Sequence, residues 1–340
     1  MTSPDPPAIG LPIPSSWYCL GLARSLPRGG IWRRRLAGRD LVVFRSESGA
    51  VAALDAFCPH LGADLSVGGS VKGETLRCGF HGFCFGRDGG CASTPYGKKV
   101  PPAAQARTAP AVEVNGLIMV WHGAAGEAPT FDIAPISTDG WTDWREASFE
   151  VRGHPQEIAE NSADVGHFAA VHDYADLAPD GPPRIDGAAL RVAYTFRRTR
   201  ALLGMSGQSI RIEVLQHGLG YALVESLVCD FDLHVRQLVM TQPLGDDRVH
   251  LRIAMSVDRN LAARAIHPLL AWVPSGWLAE RIADHGMGDF RADVQQDVPI
   301  WSHKIHLPRP ALADGDGPIG TYRKWCRRFY PSVEGGAEAS

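Results

Sequence analysis

No apolar stretch in the 340 residues reaches the roughly 18 positions that a bilayer-spanning helix needs. The first residues, Met1 to Pro14, are rich in proline and lack the charged-then-apolar pattern of a secretory signal. A basic excess is missing too. Lys and Arg number 34 against 37 Asp and Glu, a net charge of −3, so nothing supports a nucleic-acid partner or polybasic membrane binding. The run Arg33-Arg34-Arg35 is expected to be a solvated strand end. Cysteine occurs seven times, an odd count in a chain long enough to bury a core without staples, which argues against a disulfide framework. Internal repeats and low-complexity tracts are absent. These absences leave a globular protein without a membrane span, expected in the cytoplasm, whose 45% hydrophobic and 21% charged residues suit two ordinary domains.

The two halves differ in texture. From Trp17 to about Trp121, short strands alternate with Gly and Pro. Asp40 to Arg45 and Val51 to Phe57 flank a turn, and Asn115-Gly116 between Val112-Glu-Val and Leu117-Ile-Met-Val-Trp121 is a strong hairpin signal. This half is expected to be a small all-β domain. Gly123 to Thr142 has little periodicity and is expected to be the linker. Beyond it, a helix is expected at Gln156 to His167, then strands at 189–199, 209–215, 221–231, 234–242 and 248–257. Helices follow at about 261–271 and 278–296, giving an α+β half with an antiparallel sheet. The expected boundaries are a flexible arm at 1–14, domains at 15–125 and 126–330, and a disordered tail at 331–340.

Chemistry concentrates in two places. The first reads Cys58-Pro-His60, seventeen residues, then Cys78-Gly-Phe-His81. Two thiolates on one iron and two imidazoles on the other make a Rieske [2Fe–2S] cluster, whose neutral His ligands raise its reduction potential. Pro59, Gly62, Gly79 and Gly82 supply tight loops, and Leu61 and Phe80 are placed to shield the cluster. A structural Cys₂His₂ zinc site uses the same ligand types, but one residue between Cys58 and His60 is too short for the usual spacing. Cys84 and Cys91 have no matching histidines and are expected to be free thiols.

The second constellation is Asn161-Ser-Ala-Asp164-Val-Gly-His167-Phe-Ala-Ala-Val-His172. Two His and a carboxylate around an iron with open positions form the facial triad of non-haem Fe(II) oxygenases. Residues five apart do not share a face of a straight helix, so a break near Gly166 is expected between His167 and His172. Asp164 is placed to accept a hydrogen bond from the outer nitrogen of His167. The third ligand lies downstream, among Asp284, Asp289, Asp293 and Asp297, and spacing does not choose among them.

Both motifs in this order resemble the alpha subunits of Rieske non-haem iron oxygenases, from Trp17 to about Tyr330. Cys58-Pro-His-Leu-Gly-Ala-Asp-Leu-Ser66, Val71-Lys-Gly73, Asn115-Gly-Leu117 and Trp121-His122 look like the steroid-acting branch, which holds 3-ketosteroid 9α-hydroxylase oxygenase components and cholesterol 7-desaturases. Trp141-Thr-Asp-Trp-Arg145 is similar to the hydroxylases, and Gln156-Glu-Ile-Ala-Glu-Asn161 to the desaturases. The stretch Gln296-Asp297-Val-Pro-Ile-Trp301 occurs in similar form across the branch, and that match selects Asp297 as the third iron ligand. Asp173 to Gly187 departs from the pattern, being short and rich in Pro and Gly.

The resemblance implies a Rieske domain followed by a helix-grip catalytic domain. It implies a homotrimer in which the cluster of one subunit feeds the iron of the next, with Asp164 as bridge and Asn161 beside it. It implies O₂ as co-substrate, NAD(P)H acting through a ferredoxin reductase-type donor, and a steroid or sterol that is hydroxylated or desaturated. Two rival readings are an aromatic-ring dioxygenase or O-demethylase, and a non-catalytic Rieske electron carrier fused to a ligand-binding module.

Overall fold

The computed structural model describes residues 8–96, 99–199 and 207–331. Residues 1–7 of the expected arm and 332–340 of the expected tail lie outside the described residues. The described chain forms two compact units: 16–136 with 242–246, and 137–241 with 8–15 and 247–331. The first unit extends past the expected 125/126 boundary because the following segment stays tied to it. Trp17 Nε1 donates to the Phe131 carbonyl at 2.7 Å, and Asn115 bonds Ala134 and Ile136 at 3.1 and 2.9 Å.

The first unit is all antiparallel β, in three sheets. Ser16–Leu22, Leu117–His122 and Ala111–Val114 form one. Its hairpin turns through Asn115 at φ 56° and Gly116 at φ 74°, the left-handed pair that a two-residue turn requires. Ile31–Leu36, Arg39–Arg45, Val51–Asp55 and Thr108–Ala109 form the second sheet, which feeds two cores from alternate residues. Leu41, Val43 and Ala53 pack with Tyr18, Leu20 and Val120, while Val42, Phe44 and Leu54 pack with Leu65, Leu76, Phe83, Cys58 and Cys78. The third sheet, Ser70–Lys72, Thr75–Arg77, Cys84–Phe85 and Cys91–Ser93, spans the interval between the two Cys/His motifs and the residues just beyond. Of the arginine run, expected to be a solvated strand end, Arg35 is exposed, while Arg33 and Arg34 are half-buried in the strand Ile31–Leu36. Arg33 Nε donates to Asp64 at 2.8 Å, and Arg34 and Arg35 each donate to a backbone carbonyl at 3.0 Å.

The second unit is built on an eight-stranded antiparallel sheet. Its order is Arg145–Arg152, Arg248–Val257, Leu233–Gly245, Ala222–Val228, Gln208–His217, Ala189–Arg198 and Tyr174–Pro179, with Arg184–Asp186 also pairing Ala189–Arg198. The long helix Ser275–His303 packs on the first two of these strands, burying Ile282, Met287, Val294 and Trp301. It continues past the expected stop at Gln296 and runs through Pro299. Loss of one backbone donor at Pro299 is outweighed by anchoring of the final turn. Trp301 is buried, and Lys304 forms ion pairs with Glu157 and Glu160 at 2.9 and 3.1 Å. The helix expected at 261–271 is split into Ala263–Ile266 and a 3₁₀ turn, Pro268–Trp272, because His267 caps the second piece with Nδ1 accepting from Leu269 N at 3.2 Å.

The described part of the expected arm is anchored. Ile9 N donates to Asp247 at 2.8 Å, and Ser15 N to the Phe329 carbonyl at 2.7 Å. His154 Nε2 donates to the Pro12 carbonyl at 3.2 Å while its Nδ1 accepts from Gln156 N at 3.1 Å. That pairing needs a neutral ring, and burial pushes the His154 pKa down from 6.5 to about 4. A depressed folded pKa gives stability that is complete above pH 6.5 and is lost as pH falls toward 4. The window is worth about 3 kcal/mol in urea unfolding followed by tryptophan fluorescence, and His154→Gln flattens that limb of the profile.

Candidate functional site

Two loops of the first unit are closed in the same way. Cys58 N donates to the Ala63 carbonyl and Gly62 N returns to the Cys58 carbonyl, both at 2.8 Å. Cys78 N donates to the Phe83 carbonyl at 2.8 Å, and Gly82 N returns to the Cys78 carbonyl at 3.1 Å. Gly62 and Gly82 turn at φ 75° and 72°, where a side chain would be strained. The twin loops bring like to like. The His60 and His81 rings lie 4.8 Å apart, and the Cys58 thiol is within hydrogen-bond reach of Cys78.

These residues suit a cluster with one thiolate pair and one imidazole pair. His81 Nδ1 is buried without a hydrogen-bond partner, a costly state for a ring nitrogen and the expected one for a metal ligand. Burial pushes the Cys58 thiol up to about 11, so an uncompensated thiolate is disfavoured there and a bound cation would stabilise it. Leu61 and Phe80, expected to shield the site, are 67% and 65% exposed; Phe83 instead stacks on His60 at 4.3 Å. Cys84 and Cys91 are unpaired, as expected.

In the second unit, the expected helix 156–167 is divided. Pro155–Ala159 leads into a 3₁₀ turn, Glu160–Ser162, and Val165–His172 is a separate helix holding both histidines. The break falls before Asp164 rather than near Gly166. Asp164 caps the new helix, its Oδ1 accepting from His167 N at 3.1 Å, and His172 ends it, followed by Asp173 at φ 57°. Placing His172 at the frayed end lets its ring swing back to His167, which a mid-helix residue five positions on would not do. The expected bond from His167 to the Asp164 carboxylate is replaced as well: His167 Nδ1 faces the Asp164 backbone carbonyl at 3.3 Å.

His172 Nδ1 faces Gln296 Oε1 at 3.2 Å. With an acceptor opposite each Nδ1, both rings carry their proton there, and both Nε2 atoms present lone pairs. Those Nε2 atoms are only 2.9 Å apart. Two lone pairs meeting in a buried site repel unless they share a cation. Asp297 completes the group, its Oδ1 3.5 Å from His167 Nε2 and its Oδ2 3.4 Å from His172 Nε2. Burial lowers the His172 pKa, but Asp297 more than offsets it and leaves it above the ordinary value; the two rings hold Asp297 below its ordinary value despite burial. Among the described residues, this trio converges closely enough to hold a metal ion.

The other candidate acids point elsewhere. Asp284 binds Arg145 at 2.6 Å, and Asp293, one turn before Asp297, binds Arg198 at 3.2 Å. Asn161 Nδ2 lies 3.4 Å from His167 Nε2, and Trp301 Nε1 donates to Asn161 Oδ1 at 3.3 Å. Sequence reading missed Gln296, Trp301 and the charged clamp under the turn. Glu160 accepts from Arg323 at 2.5 and 2.9 Å and from Lys304 at 3.1 Å. Gln296 and Trp301 sit in the same run as Asp297 that carried the resemblance, so that run was the available signal.

A cavity of about 240 Å³ opens beside the trio. Its walls are mostly apolar, with Phe168, Ile210, Ile212, Val224, Val239 and Phe290 prominent.

Twin Cys/His loops on a β domain, a two-histidine, one-carboxylate group on a sheet-and-helix domain, and an apolar cavity beside it define a Rieske-type oxygenase. Residues 16–104 match the Rieske [2Fe-2S] domain, and residues 120–330 match the 3-ketosteroid 9α-hydroxylase C-terminal domain. The chain belongs to the family of 3-ketosteroid 9α-monooxygenase oxygenase components and cholesterol 7-desaturases. It is 32% identical to a probable 3-ketosteroid-9-alpha-monooxygenase oxygenase component of Rhodococcus rhodochrous, over 94% of this chain and 80% of that protein. It is 30% identical to a cholesterol 7-desaturase of Ciona intestinalis, over 93% of this chain and 68% of that protein. The crystal structure of dicamba monooxygenase bound to dicamba shares the fold, with a TM-score of 0.64 at 19% identity, over 92% of this chain and 96% of that one.

Asp297→Ala is expected to lower iron from about three to about two per chain while leaving the Rieske EPR signal unchanged. Asp293→Asn is expected to leave total iron as it was. Iron analysis on anaerobically reconstituted protein checks both.

Proposed function

We propose that the chain is the oxygenase component of a system that hydroxylates or desaturates a steroid or sterol. Cys58, His60, Cys78 and His81 would hold a [2Fe–2S] cluster, and His167, His172 and Asp297 a mononuclear iron. Bound there, these groups supply electron relay and dioxygen activation, with NAD(P)H as the source through a ferredoxin reductase-type donor. The observation that carries the reading is the apolar cavity bordered by His172 and Asp297. A substrate in that cavity would have an unactivated C–H bond next to the proposed metal-binding group and few polar contacts, as suits a fused-ring hydrocarbon skeleton.

The protein's own part is binding and orientation. Ile210, Ile212, Val214 and Phe290 enclose the skeleton and exclude water. The Asp164 carbonyl and Gln296 fix the tautomer of the two rings, and Trp301 holds Asn161 against His167. Which hydrogen is presented decides between alcohol and alkene.

In the homotrimer proposed here, the exposed Leu61 and Phe80 would meet a neighbouring subunit, and half-buried Asp164 would lie at the crossing between centres. None of the seven cysteines forms a disulfide, which suits a reducing cytoplasm. Among the described residues, no helix is long and apolar enough to cross a membrane.

Anaerobic binding of a sterol and steroid panel, followed by product analysis with a surrogate reductase, tests the substrate class; turnover of aromatic substrates in preference to all steroids would refute it. Cys78→Ser is expected to abolish the Rieske visible spectrum. His167→Ala is expected to keep that spectrum and to cut product formation at least about 100-fold, the scale seen when a metal's coordination is disturbed.

A further inference from the structure

Between Asn260 and Ala279 the chain carries no acidic residue, and Arg264 and His267 are its only ionisable side chains there. The short helix Ala263–Ile266 and the 3₁₀ turn Pro268–Trp272 occupy this stretch and lead into Ser275–His303. Inward, Ala263, Ile266, Leu270 and Val273 pack against the core of the unit. Outward, Leu269 is 78% exposed, Trp272 94% and Trp277 59%. Ala265, Pro268, Ala271 and Pro274 are exposed among them. Apolar residues therefore occupy both faces of the segment, and an outer patch of this kind marks an interaction site. An indole as exposed as that of Trp272 rests on little of its own chain. Such a prong suits a medium that yields around it. A bilayer interface is one, where indole rings settle at headgroup depth and leucine reaches the acyl boundary.

The charges agree with an anionic lipid surface. Arg264 and Arg281 are exposed, and the Arg281 guanidinium lies 6.0 Å from the Trp277 ring. The acids at the start of the long helix are already engaged. Glu280 pairs with Arg145 and Arg259 at 2.7 and 2.6 Å, and Asp284 with Arg145 at 2.6 Å. The segment also adjoins one end of the cavity. Ala263–Ile266 lies against Cys229–Phe231, which follows cavity-lining Val228. Leu233, Val235, Met255 and Ile282 belong both to the core under the segment and to the cavity wall. Ile282 stands near the start of the helix that carries Asp297, roughly 22 Å from it at the usual rise per residue.

We propose that residues 262–277 dock the protein on an anionic phospholipid surface, as a peripheral contact made by Leu269, Trp272 and Trp277 with Arg264 and Arg281 beside them. The inference goes beyond the proposed function and stands on the surface alone. Given that function, docking brings the end of the cavity remote from Asp297 toward the medium in which an apolar substrate dissolves.

The test is co-sedimentation of the full-length protein, with both metal centres reconstituted, with sucrose-loaded vesicles that contain no sterol. One set is phosphatidylcholine alone, and the other is phosphatidylcholine with phosphatidylglycerol. The wild-type protein is expected to sediment with the anionic vesicles and less with the neutral ones. Leu269→Ser and Trp272→Ser together are expected to weaken binding at least about tenfold, because two large apolar side chains no longer leave water. Arg264→Gln with Arg281→Gln is expected to remove the preference for anionic vesicles, about fivefold for each arginine near such a surface. An unchanged Rieske visible spectrum in each variant reports an intact fold, and gel filtration reports the assembly.

Wild-type protein that stays in the supernatant, or that sediments equally with both vesicle sets, would overturn the docking surface. So would undiminished binding by the Leu269→Ser, Trp272→Ser variant, or a smaller assembly in that variant, the mark of a second copy seated on the patch. Each of these outcomes leaves the steroid reading standing, since that reading is tested by turnover of a cyclodextrin-carried steroid without vesicles. Vesicle binding that follows the expected pattern, with no such turnover, would sustain the docking surface and overturn the steroid reading.

Discussion

Two imidazole nitrogens held 2.9 Å apart, each about 3.4 to 3.5 Å from a carboxylate oxygen, make an arrangement that a protein maintains only under constraint. The constraint here is the meeting of two unlike helices. Val165–His172 is barely two turns long and takes its start from the Asp164 cap, whereas Ser275–His303 is a long helix seated on the sheet. Neither would bring Asp297 to the histidines alone. Their relative position is held by contacts beneath the site, where Glu157 and Glu160 bind Lys304, His306 and Arg323. Tyr322 and Tyr330 add hydrogen bonds to Gln156 at 2.8 and 2.7 Å. A buried charge cluster of this kind adds little net stability when complete but costs heavily when one partner is lost. It therefore acts as a geometric lock on the turn that carries Asn161 and Asp164.

The first unit achieves its geometry differently. Its metal-binding loops are closed by backbone hydrogen bonds and left-handed glycines, with no salt bridge among the four Cys and His side chains. Each loop is a short excursion from the β framework, and both cysteines are packed into the core formed by Val42, Phe44, Leu65 and Leu76. The sulfur side is thus dry, while the apolar residues on the other side of the motifs are exposed. The asymmetry suits a group that keeps its anionic ligands away from water and its imidazoles near a partner surface.

Local pattern carried a good part of this structure. The Asn115-Gly116 hairpin, the alternating strands of the second sheet and the long strands of the second unit were readable because each depends on nearby residues and a fixed period. The Cys/His motifs were readable because cluster ligands must come from short loops. What misled was equally local. The helix expected to stop at Gln296 in fact runs on to His303, because its end is held by buried Trp301 and by Glu157 and Glu160, which bind Lys304 from far away in sequence. The five-residue gap between His167 and His172 suggested a break inside the helix, when the helix ends at the second histidine.

Residue types and short spacings were enough to point to two kinds of candidate metal-binding group on two kinds of domain, since ligand chemistry is a property of side chains and of loops a few residues long. Spacing left Asp293 and Asp297 open, since they lie on one helix a single turn apart; the resemblance selected Asp297, and the fold supplies the reason, setting it against both histidines while Asp293 pairs with Arg198. The fold also gave Gln296 and Trp301 their places, because the distance from each to its partner, His172 and Asn161, is set by how helices remote in the chain pack together.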